Sequence, residues 1–250
     1  MPWKATKDAY TIWLSEIILQ QTRVEQGRPY FNKFIAAYPN VTDLANAPED
    51  EVMRLWEGLG YYSRARNLHF TAKYIAEELN GIFPNTYETI KQLKGVGTYT
   101  AAAIASFAYD LPHAVVDGNV YRVLSRIFGI DTPIDTTKGK KEFAKLADEL
   151  LAKKQAAAYN QAIMDFGATQ CVPKNPNCEI CPMQSECVAF RADLVSRLPV
   201  KSKKMKKKSR FFNYLFIKIE KEHSILRKRV EKDIWQNLYE LPMIETSVFL

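Results

Sequence analysis

Leu93 to Asp117 read LKGVGTYTAAAIASFAYDLPHAVVD, and this stretch decides the fold. Gly95 and Gly97 flank Val96 in a turn between two helical segments. Glycines this close admit positive φ and let the backbone approach another surface with no Cβ between them. The next helix, expected from Thr98 to about Ala108, is rich in small apolar residues (Ala101, Ala102, Ala103, Ile104, Ala105) and suits a tightly packed core. Its first amides are free to bind an anion, for which a nucleic-acid phosphate is the natural candidate. Asp117 follows a short apolar run and precedes a helix expected over Gly118–Phe128. On this stretch alone, a plain helix-helix turn with an N-cap aspartate explains the pattern equally well.

On the N-terminal side the pattern is helical throughout. Asp8 is placed to cap a helix from Ala9 to about Gln21, with Trp13, Leu14, Ile17 and Ile18 on its apolar side. Glu16, Gln20 and Arg23 recur at helical spacing on another side. Further helices are expected over Arg23–Tyr38, from Pro48 (at the first helical position) to near Gly58, over Ser63–Asn80 with Gly81 as its stop, and from Thr86. Gly58 to Tyr62, GLGYY, reads as a glycine- and aromatic-rich loop.

On the C-terminal side, helices are expected over Thr137–Ala152 and Ala156–Gly167. Lys201–Arg210, KSKKMKKKSR, has seven basic residues and no apolar face, so it reads as a solvated linker. FFNYLFIKIE, from Phe211, is aromatic and β-branched with partial alternation and predicts a strand. The remainder to Leu250 predicts the opening of a mostly β domain.

The 250 residues allow one large or two small domains. No apolar run approaches the ~20 residues that span a bilayer, and MPWKATKDAY carries no apolar signal core. A cytoplasmic, nucleoid-associated protein is therefore expected. The net charge of +7 favours a polyanionic partner, although much of the excess lies in one basic stretch. All four cysteines fall between Cys171 and Cys187, spaced Cys171-x6-Cys178-x2-Cys181-x5-Cys187. In a cytosolic protein such a cluster reads as metal ligands before disulfides. Four thiolates suit either Zn²⁺ or a [4Fe–4S] cluster, but only one close pair is present, unlike the paired knuckles of most zinc sites.

The cysteine loop, the LKGVGTYTA hairpin and the VVDGNVYRVLSR segment together resemble the helix-hairpin-helix DNA glycosylases of the endonuclease III superfamily, over roughly Pro2 to Phe190. That resemblance implies [4Fe–4S] rather than zinc on Cys171, Cys178, Cys181 and Cys187. It also implies extrusion of a base from the duplex before its glycosidic bond is cut. Bifunctional members carry a nucleophilic lysine just after the hairpin; here that position is Tyr99. Lys94 replaces the usual proline before the first glycine and does not match the nucleophile. TIWLSEIILQQTRV further resembles the MutY-type adenine DNA glycosylases, in which the glutamate is the catalytic acid.

The resemblance implies these roles residue by residue. Glu16 protonates the base, Asp117 stabilises or bonds the oxocarbenium-like sugar, Tyr99 assists near the sugar and Asn119 positions Asp117. Gln21 and Tyr61 wedge into the base stack. Trp3, Leu19, Val24 and Gln161 line the adenine pocket, with Lys4 standing where arginine is common. Gly95, Val96 and Gly97 grip the DNA backbone.

The expected fold is all-α and two-lobed. A six-helix barrel spans 8–113, an iron-sulfur lobe combines 1–7 with 114–191, a basic linker covers 192–210, and 211–250 begins a Nudix-like domain. The chain is expected to be truncated at both ends relative to that family. The expected activity is monofunctional excision of adenine opposite 8-oxoguanine or guanine in double-stranded DNA, by a monomer. The rivals are an endonuclease III-like enzyme for oxidised pyrimidines and a non-catalytic iron-sulfur DNA binder. Glu16 and Tyr99 argue against the first, and the two carboxylates in motif context against the second.

Overall fold

A computed structural model of the chain describes residues 2–202, 209–220, 223–231, 233, 235, 236 and 238–248. The centre of the basic stretch, 203–208, lies outside these residues. The chain divides into two compact units, 1–203 and 204–250.

The first unit is helical. Its helices are α1 (Ala9–Leu19), α2 (Val24–Ala37), α3 (Val41–Asn46), α4 (Glu49–Leu55), α5 (Ser63–Glu78), α6 (Tyr87–Gln92), α7 (Thr98–Tyr109), α8 (Gly118–Phe128), α9 (Thr137–Leu150), α10 (Ala156–Thr169) and α11 (Val188–Arg191). Cap chemistry fixes several starts. The side chains of Asp8, Thr86 and Asp117 accept amide N–H bonds at α1, α6 and α8. Pro48 lies just outside α4 rather than at its first helical position, and Glu49, Asp50 and Glu51 fill the first turn, where the helix dipole favours acids. Residues 8–113 hold seven helices where six were expected. The extra one is α3, six residues long and capped by Asn40, which accepts from the Asp43 amide.

The main core joins Trp13, Leu14 and Ile18 of α1 to Phe34, Trp56, Ile75, Ile90 and Ile104. Ala101, Ala103 and Ala105 are fully buried, so α7 lies close against α1. A second core, with Val120, Leu124, Phe143 and Ala147, joins α8 to α9 and takes Ile163 and Met164 of α10 at its edge. Burying each large side chain contributes about 1.5–3 kcal/mol, so these two cores hold α1, α7, α8 and α10 in fixed relation.

Among the described residues, the second unit holds three antiparallel two-stranded ladders. β1 (Phe211–Tyr214) pairs with β6 (Met243–Thr246), β2 (Lys218–Glu220) with β3 (His223–Ser224), and β4 (Arg227–Lys228) with β5 (Tyr239–Glu240). The single strand expected from Phe211 breaks after Tyr214, because its two halves take different partners. Arg210 reaches Asp233 and Glu245, and Arg229 reaches Asp233 and Glu240.

Candidate active site

Five elements and the N-terminal segment surround one cavity of about 750 Å³ in the helical unit. Trp3 and Lys4 enter from the short 3-10 turn at Pro2–Ala5. Glu16 and Leu19 come from α1, Gln21 from the loop after it, and Val24 from α2. Tyr99 comes from α7, Asp117 and Asn119 from the start of α8, and Gln161 from α10. Every expected catalytic and base-pocket residue therefore faces one space. Tyr61, Gly95, Val96 and Gly97 lie outside it.

Glu16 sits on the half-buried wall between Ser15 and Ile17, both buried. Removal from water pushes its carboxyl up to about 7. A hydrogen bond from Tyr99 opposes the rise, and the negative charge of Asp117 adds to it. Burial first, then the charges of Glu16 and Asp117, hold the Tyr99 phenol well above its ordinary value, so it stays a donor. An acid with this midpoint carries its proton at neutral pH for a sizeable fraction of the time, as a general acid requires.

Asp117 has the opposite setting. Its Oδ1 accepts the backbone N–H groups of Asn119 and Val120, both at 2.8 Å, and its Oδ2 accepts Asn119 Nδ2 at 2.8 Å. The N-terminus of α8 adds a favourable dipole for negative charge. The two carboxylates thus differ in environment: one is removed from water, the other is held by three N–H donors.

Arg122, absent from the sequence reading, extends this arrangement. Its Nη2 donates to Asn119 Oδ1 at 2.8 Å and to the Gly167 carbonyl at 2.5 Å, and its Nε donates to the Cys171 carbonyl at 2.7 Å. Asn119, Arg122 and Arg126 recur at helical spacing on α8, a signal present in VVDGNVYRVLSR. Gly167 makes the contact close: a Cβ there would lie 2.7 Å from Asn119 Cβ. Asp165 of α10 was also missed; it pairs with Lys4 at the cavity wall.

The hairpin corrects one expectation. Gly95 takes φ +84°, and a Cβ there would meet Asn67 at 3.0 Å, so glycine is required. Gly97 has φ −92° and needs no left-handed freedom. Val96 does not face outward: its side chain is buried in the main core, and its N–H closes the turn on the Leu93 carbonyl at 3.0 Å. An apolar residue between two glycines anchors the turn from beneath.

Cys171, Cys178, Cys181 and Cys187 line a small shared cavity. Among the described residues no group of His, Cys, Asp or Glu is gathered as ligands of one metal ion; the thiols ring a space instead. Burial pushes the Cys178 thiol up, and Cys171, Cys181 and Cys187 add to the rise. Four crowded thiolates call for a cationic centre among them. Arg126 Nη1 lies 3.4 Å from Cys171 Sγ, and the same guanidinium donates to the Val172 and Pro173 carbonyls at 2.8 and 3.1 Å. The donor set and this hydrogen bonding fit an iron-sulfur cluster.

Residues 14–152 match the family described as HhH-GPD superfamily base excision DNA repair protein. Residues 171–187 match the iron-sulfur binding domain of endonuclease III. The adenine DNA glycosylase of Buchnera aphidicola subsp. Schizaphis graminum is 38% identical over 251 residues, covering 99% of this chain and 71% of that protein. The Mus musculus adenine DNA glycosylase is 43% identical over 200 residues, 76% of this chain and 39% of that one. The solved structure of a thermostable thymine-DNA glycosylase superposes with a TM-score of 0.71 at 30% identity, covering 77% of this chain and 88% of that one. The helical fold expected from the sequence is thus shared with solved glycosylases, and the cofactor is an iron-sulfur cluster.

Proposed function

The chain belongs to the HhH-GPD superfamily of base excision DNA repair proteins, and from that premise we propose that it excises adenine mispaired with 8-oxoguanine or guanine, by hydrolysis and without nicking the strand. The observation that carries this is the convergence of Glu16 from α1, Tyr99 from α7 and Asp117 from the N-cap of α8 on one cavity.

Adenine is a poor leaving group until protonated. With the base extruded into the cavity, Glu16 donates its proton at N7, and its raised midpoint makes that proton available near neutrality. The Tyr99 hydroxyl holds the carboxylate that remains. As the bond breaks, positive charge develops on the sugar, and Asp117, fixed by Asn119 and the α8 amides, stabilises it or bonds to it before water attacks. With tyrosine rather than lysine at position 99, no amine stands there to form a Schiff base with the sugar, so the product is an intact abasic strand.

The pocket reading assigns recognition as well. Gln161 brings an amide able to pair both ways with an adenine edge. Trp3, Leu19 and Val24 supply apolar walls, and Lys4 supplies a cation. Gln21 and Tyr61 wedge into the stack, while the Gly95 and Gly97 amides hold a phosphate. Cys171, Cys178, Cys181 and Cys187 would hold a [4Fe–4S] cluster, which would brace their loop, while Arg122 and Arg126 tie that loop to α8. The protein acts as a monomer in the cytoplasm, at the nucleoid.

The test uses three duplexes: adenine opposite 8-oxoguanine, adenine opposite guanine, and thymine glycol opposite adenine. Strands are resolved with and without alkali. Cleavage of the first two only after alkali is expected. Nicking without alkali removes the monofunctional assignment, and reaction on thymine glycol alone removes adenine specificity.

A further inference from the structure

Arg64 on α5 is a buried cation that the mechanism leaves unused, and its hydrogen bonds run almost entirely to backbone carbonyls. It is 8% exposed, and among the described residues no carboxylate pairs with it. Its Nη1 meets the carbonyls of Ile17, Ile18 and Gln20 at 3.2, 2.8 and 2.6 Å and Thr22 Oγ1 at 3.3 Å. Its Nη2 meets the carbonyls of Leu59 and Gly60 at 3.5 and 3.2 Å. The first set is the C-terminal end of α1, where unsatisfied carbonyls and the helix dipole attract a cation. The second set is the GLGYY loop. The guanidinium also lies 5.0 Å from the Trp56 ring and 5.5 Å from the Tyr61 ring.

Each loop held this way carries one strained residue. Gln21 has φ +57° and Tyr61 φ +49°, both in the left-handed region that non-glycine residues rarely adopt. Such backbone persists only where its surroundings fix it. Both residues are exposed, Tyr61 at 59%. Gln20, next to the first, also donates to the Gly95 carbonyl and Thr100 Oγ1 at 3.4 and 3.3 Å, linking that loop to the hairpin.

We propose that Arg64 is a positioning residue for base extrusion: one guanidinium clamps the Gln20–Thr22 and Leu59–Tyr61 loops into the strained backbone that presents Gln21 and Tyr61 to the duplex. This rests on the reading of those two residues as wedges. Lysine cannot replace it, because a point charge does not satisfy two separate carbonyl sets at fixed angles.

The test is stopped-flow binding of a duplex carrying adenine opposite 8-oxoguanine, with 2-aminopurine beside the adenine to report unstacking, followed by single-turnover excision. For Arg64→Lys the fluorescence rise and the excision rate fall together, by about tenfold to a hundredfold. The midpoint of the Glu16 limb in the pH profile stays unchanged. A shifted midpoint, or slow excision with a normal rise, overturns the proposal, because the damage then lies in the cavity. Gln21→Ala and Tyr61→Ala separate the two readings. If they lose the rise and Arg64→Lys keeps it, the wedges stand and the clamp is wrong. If they keep it, the wedge assignment fails and the clamp with it. Should Arg64→Lys not fold, Trp56→Phe carries the same test, since it removes the indole N–H that holds the Gly60 carbonyl at 2.9 Å from the other side.

Discussion

Asn119 and Asp117 are joined twice, by the Asn119 backbone N–H on Oδ1 and its Nδ2 on Oδ2, both at 2.8 Å. The backbone bond survives any substitution at 119; the side-chain bond does not. Asn119→Ala also strips Arg122 Nη2 of one of its acceptors. A carboxylate less firmly placed under the sugar should cost up to about 10²-fold in the excision rate. Single-turnover excision should show that loss, with the Kd for the duplex nearly unchanged.

The raised midpoint of Glu16 sets a basic limb. An acid must hold its proton, so the rate should fall as pH rises through about 7. Tyr99 lowers that midpoint by donating to the carboxylate, so Tyr99→Phe should move the limb to higher pH while reducing the maximal rate. A pH–rate profile of both proteins checks the direction; a limb that moves down contradicts the assigned hydrogen bond.

The same residue costs stability. The Glu16 carboxyl is raised from 4.5 to about 7 in the folded chain. The folded state therefore holds its proton through a window where the unfolded state has released it. Stability falls as pH rises from about 4.5 to about 7 and stays reduced above. Glu16→Gln should be inactive yet have a higher Tm than the parent at pH 8, with the difference shrinking at pH 5. Thermal melts at the two pH values decide it.

Gly167→Ala places a methyl 2.7 Å from Asn119 Cβ and 3.1 Å from its carbonyl oxygen. Backbone cannot yield as a side-chain tip can, so α10 must move from α8, at about 1–3 kcal/mol. Since Arg122 bonds the Gly167 carbonyl, excision should drop with stability. Urea unfolding and the excision assay together test this.

Purified protein should be yellow-brown. Cys178→Ser should lose visible absorbance and Tm together, because the cluster binds the folded loop and not the unfolded one. Colour retained in that variant would remove Cys178 from the ligand set.

Much of this was legible in the sequence because it rests on local chemistry. Asp8, Thr86 and Asp117 announce their helices by capping, and α8 runs from Gly118 to Phe128 as read. The helix at Val41–Asn46 was missed although Asn40 caps it, because six residues carry too little apolar periodicity to register. Val96 was grouped with Gly95 and Gly97 as a grip on the DNA backbone; the burial of its side chain is set by a core assembled from distant helices. Arg64, Arg122 and Asp165 were missed for the same reason: their partners lie 44, 49 and 161 residues away.

The cavity wall draws on residues from Trp3 to Ala168, and Lys4 meets Asp165 across it. During synthesis the chain therefore owns no base-excising centre until Ala168 has left the ribosome and α10 has docked. Trp3 and Lys4 wait for Asp165 and Ala168, which are made much later. Glu16 is made long before Gln161 and Asp165 can close the wall around it, so the order of synthesis delays assembly of the cavity.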